Sequence, residues 1–77
     1  MQIIRKNEVL SRLSISKATL HRQINSGEFV PPIPLGSRAV GFLEEEVNEI
    51  AAARVQGKNI KEVVATLVAR RGSLGSL

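Results

Sequence analysis

Two short apolar-periodic segments are separated only by Ser14 and Ile15, and a proline-rich turn then leads into a short hairpin with an arginine near its tip. These observations predict a mostly α domain with a small β-hairpin. Helices joined by so tight a turn must cross steeply, which is helix-turn-helix geometry, and a basic hairpin directly after it reads as a wing. The expected class is a winged helix-turn-helix.

The elements follow in order. Ile3 and Ile4 form a β-branched pair suited to one edge strand. Lys6–Leu13 reads as the first helix, with Val9, Leu10 and Leu13 inward and Lys6, Glu8 and Arg12 outward. Ser16 reads as an N-cap for the second. Ile15 before the cap and Leu20 at the fourth helical position are placed for a hydrophobic staple. Thr19 stands where a complete capping box needs Glu or Gln. Leu20 and Ile24, four apart, share a face, and Gly27 can close the helix in the left-handed conformation. A helix of about ten residues results, within the usual range.

Opposite Leu20 and Ile24 lie Ala18, Arg22 and Asn25, flanked by Thr19 and His21, with Lys17 at the helix start. Such a face can enter a major groove, where Arg reads guanine, Asn reads adenine, and Ser, Thr and backbone N–H groups hold phosphate. On this stretch alone an ordinary solvated helix face fits equally well.

Residues 28–34 contain three prolines and cannot be helical. Phe29 is expected to anchor this turn to the core. Ile33 and Leu35 alternate with Pro34 as a short edge strand, Gly36-Ser37-Arg38-Ala39 is the turn, and Val40-Gly41-Phe42 is the return strand. A plain connecting hairpin with a solvated Arg38 is the alternative to a wing.

Residues 43–55 form the clearest helix. Glu44, Glu45 and Glu46 at its start and Arg54 at its end complement the macrodipole, and Val47, Ile50, Ala51 and Val55 form an apolar stripe. Adjacent carboxylates are not spaced on one face, so neither a metal site nor an acid–base pair is expected there. Gly57 ends the helix. Asn59 with Glu62 caps another, whose stripe of Ile60, Val63, Val64, Leu67 and Val68 extends to about Arg71 before Gly72 closes it. That stripe either folds back to complete a small core or pairs with another subunit. The expected organisation is a winged helix-turn-helix over 1–56, an additional amphipathic helix over 57–71 and a flexible tail over 72–77.

The chain has 77 residues and a net charge of +4, with a pI of about 10.4. Residues 1–42 carry +4, residues 43–58 carry −2 and residues 59–77 carry +2. The positive excess therefore lies with the capped helix and hairpin, the footprint of a nucleic-acid binder. With two Phe and no Trp or Tyr, the chain lacks the rings that stack single-stranded bases, so double-stranded DNA is the expected partner. There is no Cys, a single His and no phosphate loop, which leaves no constellation for an enzyme, a metal or a cofactor. No apolar run approaches the ~20 residues of a membrane span, and residues 1–6 lack the apolar core of a signal peptide, so a cytoplasmic location is expected.

Two stretches, Leu13-Ser14-Ile15-Ser16-Lys17-Ala18-Thr19-Leu20-His21-Arg22 and Phe29-Val30-Pro31-Pro32-Ile33-Pro34-Leu35-Gly36-Ser37-Arg38-Ala39-Val40-Gly41-Phe42, followed by Glu44-Glu45-Glu46-Val47, resemble the AlpA family of prophage regulators. The resemblance covers roughly residues 3–56. It implies a winged helix-turn-helix related to the MerR and excisionase domains. It also implies binding near attachment sites or promoters of a prophage or genomic island. Such proteins act as transcriptional regulators, as recombination directionality factors (excisionases) for integrase-mediated excision, or as both, with integrase and further copies of the chain as partners. Carried over, Ser16, Lys17, Thr19, His21 and Arg22 fall on the recognition helix and Arg38 on the wing. Together with Ala18 and Asn25 from the helix face, these make the candidate DNA-binding set. Phe42 and Ile50 stand where the family commonly has Trp, and the helix after Asn59 is longer than the family usually carries. The competing function is a protein-interaction module, such as an antitoxin or adaptor, working through the 60–68 stripe.

Overall fold

β1 (Ile3–Arg5) forms one edge of a three-stranded antiparallel sheet in the order β1-β3-β2, with β2 (Ile33–Gly36) at the other edge and β3 (Ala39–Leu43) between them. The helices are α1 (Lys6–Leu13), α2 (Lys17–Ser26), α3 (Glu44–Val55) and α4 (Ile60–Gly75). This computed structural model describes residues 2–75, with side chains described to Gly72. The architecture is a winged helix-turn-helix, mostly α with a small sheet.

α1 has the expected bounds. Ser14, in the left-handed conformation at φ 54°, ends it, and the amides of Ser14 and Ile15 donate back to the carbonyls of Ser11 and Leu10. This reversal leaves no slack before Ser16, whose side chain accepts from the Thr19 amide to start α2. Gly27, at φ 82°, closes that helix.

β3 is longer than the hairpin alone requires because it pairs on both sides. Ile4 lies opposite Phe42 and Ile33 opposite Gly41. Pro34 pairs with Val40 and Gly36 with Ala39, so Leu35 is left out of register and the turn tightens to Ser37 and Arg38. The Glu44 amide donates to the Gln2 carbonyl at 2.8 Å, which ties the start of α3 to the strand edge. Leu43 therefore ends the strand, and α3 begins one residue later than the sequence pattern indicates.

The core is built from Ile4, Val9, Leu20, Phe29, Val30, Phe42, Val47, Ile50, Val64 and Leu67. Phe29 and Phe42 meet edge to face, 5.5 Å between ring centres at 68°, and fix the exit of α2 to the central strand. The α4 stripe folds back except at its end: Val64 and Leu67 are buried and Ile60 and Val63 pack against the core, while Val68 is 40% exposed and stays outside it.

Two expectations are corrected here. Val55 is 89% exposed, and the inward side of α3 is instead formed by Glu46, Val47, Ile50 and Ala53. Val55 lies about 140° around the helix from Ile50, since each residue turns the chain by about 100°, and α4 packs on the side marked by the small Ala53. Gly72 does not end α4, whose backbone continues helical to Gly75. Glycine costs a helix only about 1 kcal/mol, and the anchoring of Arg71, described below, holds this last segment in place. The tail expected over 72–77 is thus helical as far as Gly75, and residues 76–77 lie outside the described residues.

Gly41 sits beneath Ile3 and Leu35 on the outer face of the sheet. A Cβ there would meet Ile3 Cγ2 at 2.5 Å, Leu35 Cδ1 at 2.9 Å and the Ile4 carbonyl at 3.2 Å. Gly41→Ala is expected to lower stability by about 1–3 kcal/mol, as for other overpacked sites. An unchanged denaturant midpoint would show that the β1 edge yields freely.

Candidate nucleic-acid interface

α2 is presented by its neighbours more than by its own length. Leu20 is fully buried and Ile24 half-buried beneath it. At its far end, Arg54 Nη2 donates to Gln23 Oε1 at 2.7 Å and to the Glu28 carbonyl at 3.2 Å, fastening the helix to α3. On the other side of the turn, Arg12 bridges Glu8 at 2.6 Å and Glu44 at 3.0 Å, which locks α1 to α3. Hydrogen bonds to Glu8 and then Glu44 hold the Arg12 guanidinium above its ordinary pKa.

The outer side of α2 is thereby left to solvent. Lys17, Ala18, His21, Arg22 and Asn25 are exposed. Lys17, Arg22 and Asn25 have no hydrogen-bond or ion-pair partner among the described side chains. The Ala18 methyl leaves room for close approach. The backbone N–H groups of Lys17 and Ala18 are the free donors of the first turn, since the Thr19 amide is taken by Ser16 and the Leu20 amide by the Ser16 carbonyl. Lone N–H donors at a helix start beside a lysine suit a phosphate.

Ser16 and Thr19 are placed differently from the other candidates. The Ser16 hydroxyl accepts from the Thr19 amide at 3.1 Å and donates to Thr19 Oγ1 at 2.9 Å, so its proton is already used. Ser16 therefore shapes the helix start, while half-buried Thr19 keeps its own hydroxyl proton to offer.

Lys6, an outward residue of α1, joins this group in space. Its Nζ lies 3.4 Å from His21 Nε2, across the crossing of α1 and α2. Lys6 as the first residue of an amphipathic helix was visible in the sequence, but its proximity to His21 depends on a crossing angle that the sequence does not carry.

Arg38 stands apart from the α2 group, at the hairpin tip. It is exposed, with no partner among the described residues, and its φ is +68°. A non-glycine residue in this region costs roughly 1–2 kcal/mol, and such strain tends to persist where the side chain is used. Arg38→Gly is accordingly expected to leave the melting temperature unchanged or raised while weakening DNA binding. A lowered melting point with full affinity would make Arg38 a structural turn residue.

The remaining cations sort by location. Arg12 and Arg54 brace the helix-turn-helix, and Arg70 and Arg71 pair with Glu49 and Glu46. Among the described residues, Arg5, Lys17, Arg22 and Arg38 are unpaired in the first half of the chain, and Lys58 and Lys61 in the second. An open cleft of about 320 Å³ lies between α3 and α4, and none of its lining residues comes from α2 or the hairpin. Among the described residues, no helix is long and apolar enough to cross a membrane.

This arrangement coincides with a sequence family. The family model described as prophage CP4-57 regulatory protein (AlpA) matches residues 2–55, from β1 to the end of α3. The chain belongs to the AlpA family of prophage regulatory proteins. ORF88 of Enterobacteria phage P4, a protein named as uncharacterized, is 33% identical over 57 residues. That similarity covers 74% of this AlpA-family chain and 65% of the phage protein, so the chain spans less than two-thirds of that relative's length. No solved structure matches the chain. The AlpA match takes in the capped helix and the whole hairpin, and all of α4 lies beyond it.

Proposed function

We propose that this protein binds double-stranded DNA of a prophage or genomic island in a sequence-specific way, and that it acts by binding and not by catalysis. The observation that carries the reading is the outer side of α2, where Lys17, Arg22 and Asn25 stand unpaired on a capped helix braced by Arg12 and Arg54. Arg22 and Asn25 read base edges, and Lys17 with the first amides of α2 holds phosphate. Arg38 on the wing adds a second contact to the backbone or minor groove.

In the cell, the protein regulates transcription, directs integrase-mediated excision, or does both, from the cytoplasm. Its partners are integrase and further copies of itself on neighbouring sites. The AlpA membership supports the regulatory part of this reading, and the excision part rests on the resemblance to excisionase domains. An adaptor or antitoxin working through the α4 stripe is less favoured, because Val64 and Leu67 are spent in the chain's own core.

A footprint on the region upstream of the gene and on the nearest attachment site tests the reading. A protected stretch is expected, with affinity falling with salt at a log–log slope of about −2, as for the two phosphate-neutralising cations Lys17 and Arg38. Equal affinity for these sites and scrambled duplex at every salt concentration would reject sequence-specific binding.

A further inference from the structure

We propose that Arg71 is a positioning residue for the wing, so that α4 contributes to DNA binding without touching DNA. This rests on the reading of the hairpin as a DNA-contacting wing. The Arg71 guanidinium is divided between two tasks. Its Nε donates to Glu46 Oε1 and Oε2 at 3.1 and 3.0 Å and its Nη2 to Glu46 Oε1 at 2.5 Å, while its Nη1 donates to the Pro31 carbonyl at 2.8 Å. Fastening α4 to α3 needs only the first task, and Val64, Leu67 and the Arg70–Glu49 pair already serve it. The second task reaches the main chain just before β2.

Between Val30, buried in the core, and Ile33, paired with Gly41, this stretch has few main-chain ties of its own. Pro31, Pro32 and Pro34 have no N–H to donate. The β2–β3 ladder is further broken between Pro34 and Gly36. Phe42 fixes the return side of the hairpin and Val30 its entry, both in the core, so what is left to set is the path of the chain through Pro31 and Pro32 into β2. A planar guanidinium bridging a carboxylate and the Pro31 carbonyl sets this path, and through it the place of Arg38. Lysine cannot do the same, because one ammonium lacks the fork that spans both acceptors.

Two variants test this while keeping the fold. Arg71→Lys retains a charge opposite Glu46, and the double variant Glu46→Gln with Arg71→Met removes both members so that no buried charge is left unpaired. Each is titrated on the footprinted duplex, alone and combined with Arg38→Ala, at a temperature where all are folded. Expected is a loss of about 3- to 10-fold in the parent background that shrinks to within about twofold in the Arg38→Ala background, since residues acting through one another are not additive. Amide exchange in residues 33–40 is expected to speed up, with α2 unchanged.

A full loss that persists without the Arg38 side chain overturns the positioning role, as does unchanged binding by both variants. If Arg38→Ala alone has no effect, the wing reading fails and the inference with it. If the parent protects no DNA, the proposed function itself fails.

Discussion

Leu20→Ala is expected to destabilise the domain by about 2–5 kcal/mol, the range for truncating a buried leucine. Leu20 is fully buried in the shared core, with Ile15 packed against that core from the turn and Ile24 one helical turn later. A domain of this size has a total stability of only about 4–12 kcal/mol, so the variant loses a large fraction of it and should melt far below the parent. The measurement is a thermal melt of parent and variant side by side. A midpoint within a degree or two of the parent on heating would mean that α2 presents a different face to the core.

Arg71→Ala should cost about 2–4 kcal/mol. Glu46 is 7% exposed and Arg71 19%, so deleting the arginine strands a carboxylate that has little water to turn to. The loss is set below that of a fully buried broken pair, because some solvent reaches the site. For a chain of this length the melting temperature should fall by roughly 10 °C or more. Adding Glu46→Gln to Arg71→Ala is expected to recover much of the loss, since the stranded charge and not the missing contact dominates it. If the second substitution makes matters worse, the Arg71 side chain acts mainly through packing.

These two residues also mark what the sequence makes legible. Leu20 could be read at once, because the four-residue spacing to Ile24 and the Ser16 cap fix both the face and the start of α2. The same local signals located α1, the Phe29 anchor and the hairpin. Glu46 and Arg71 could not be read: their pairing spans 25 residues, and three adjacent glutamates look alike until a partner helix chooses one. Val55 failed for a related reason, because an apolar stripe shows which residues are greasy and not on which side the next helix lies. On the candidate site, the spacing of Lys17, Ala18, His21, Arg22 and Asn25 was enough to place them together on the outside. The approach of Lys6 to His21 and the internal use of the Ser16 hydroxyl depend on the helix crossing and on cap geometry, which appear only in three dimensions.

The central claim is that α2 reads bases through Arg22 while Lys17 holds phosphate. One measurement addresses it: equilibrium titrations of Arg22→Ala and Lys17→Ala on cognate and scrambled duplex at several salt concentrations. Arg22→Ala is predicted to cost about 1–3 kcal/mol on the cognate site and to flatten the preference for one base pair, with less effect on scrambled DNA. Lys17→Ala is predicted to weaken both duplexes alike and to make the salt slope shallower by about one unit. An Arg22→Ala variant that loses affinity equally for both duplexes and keeps the full cognate preference would contradict the claim, and would move base reading away from Arg22.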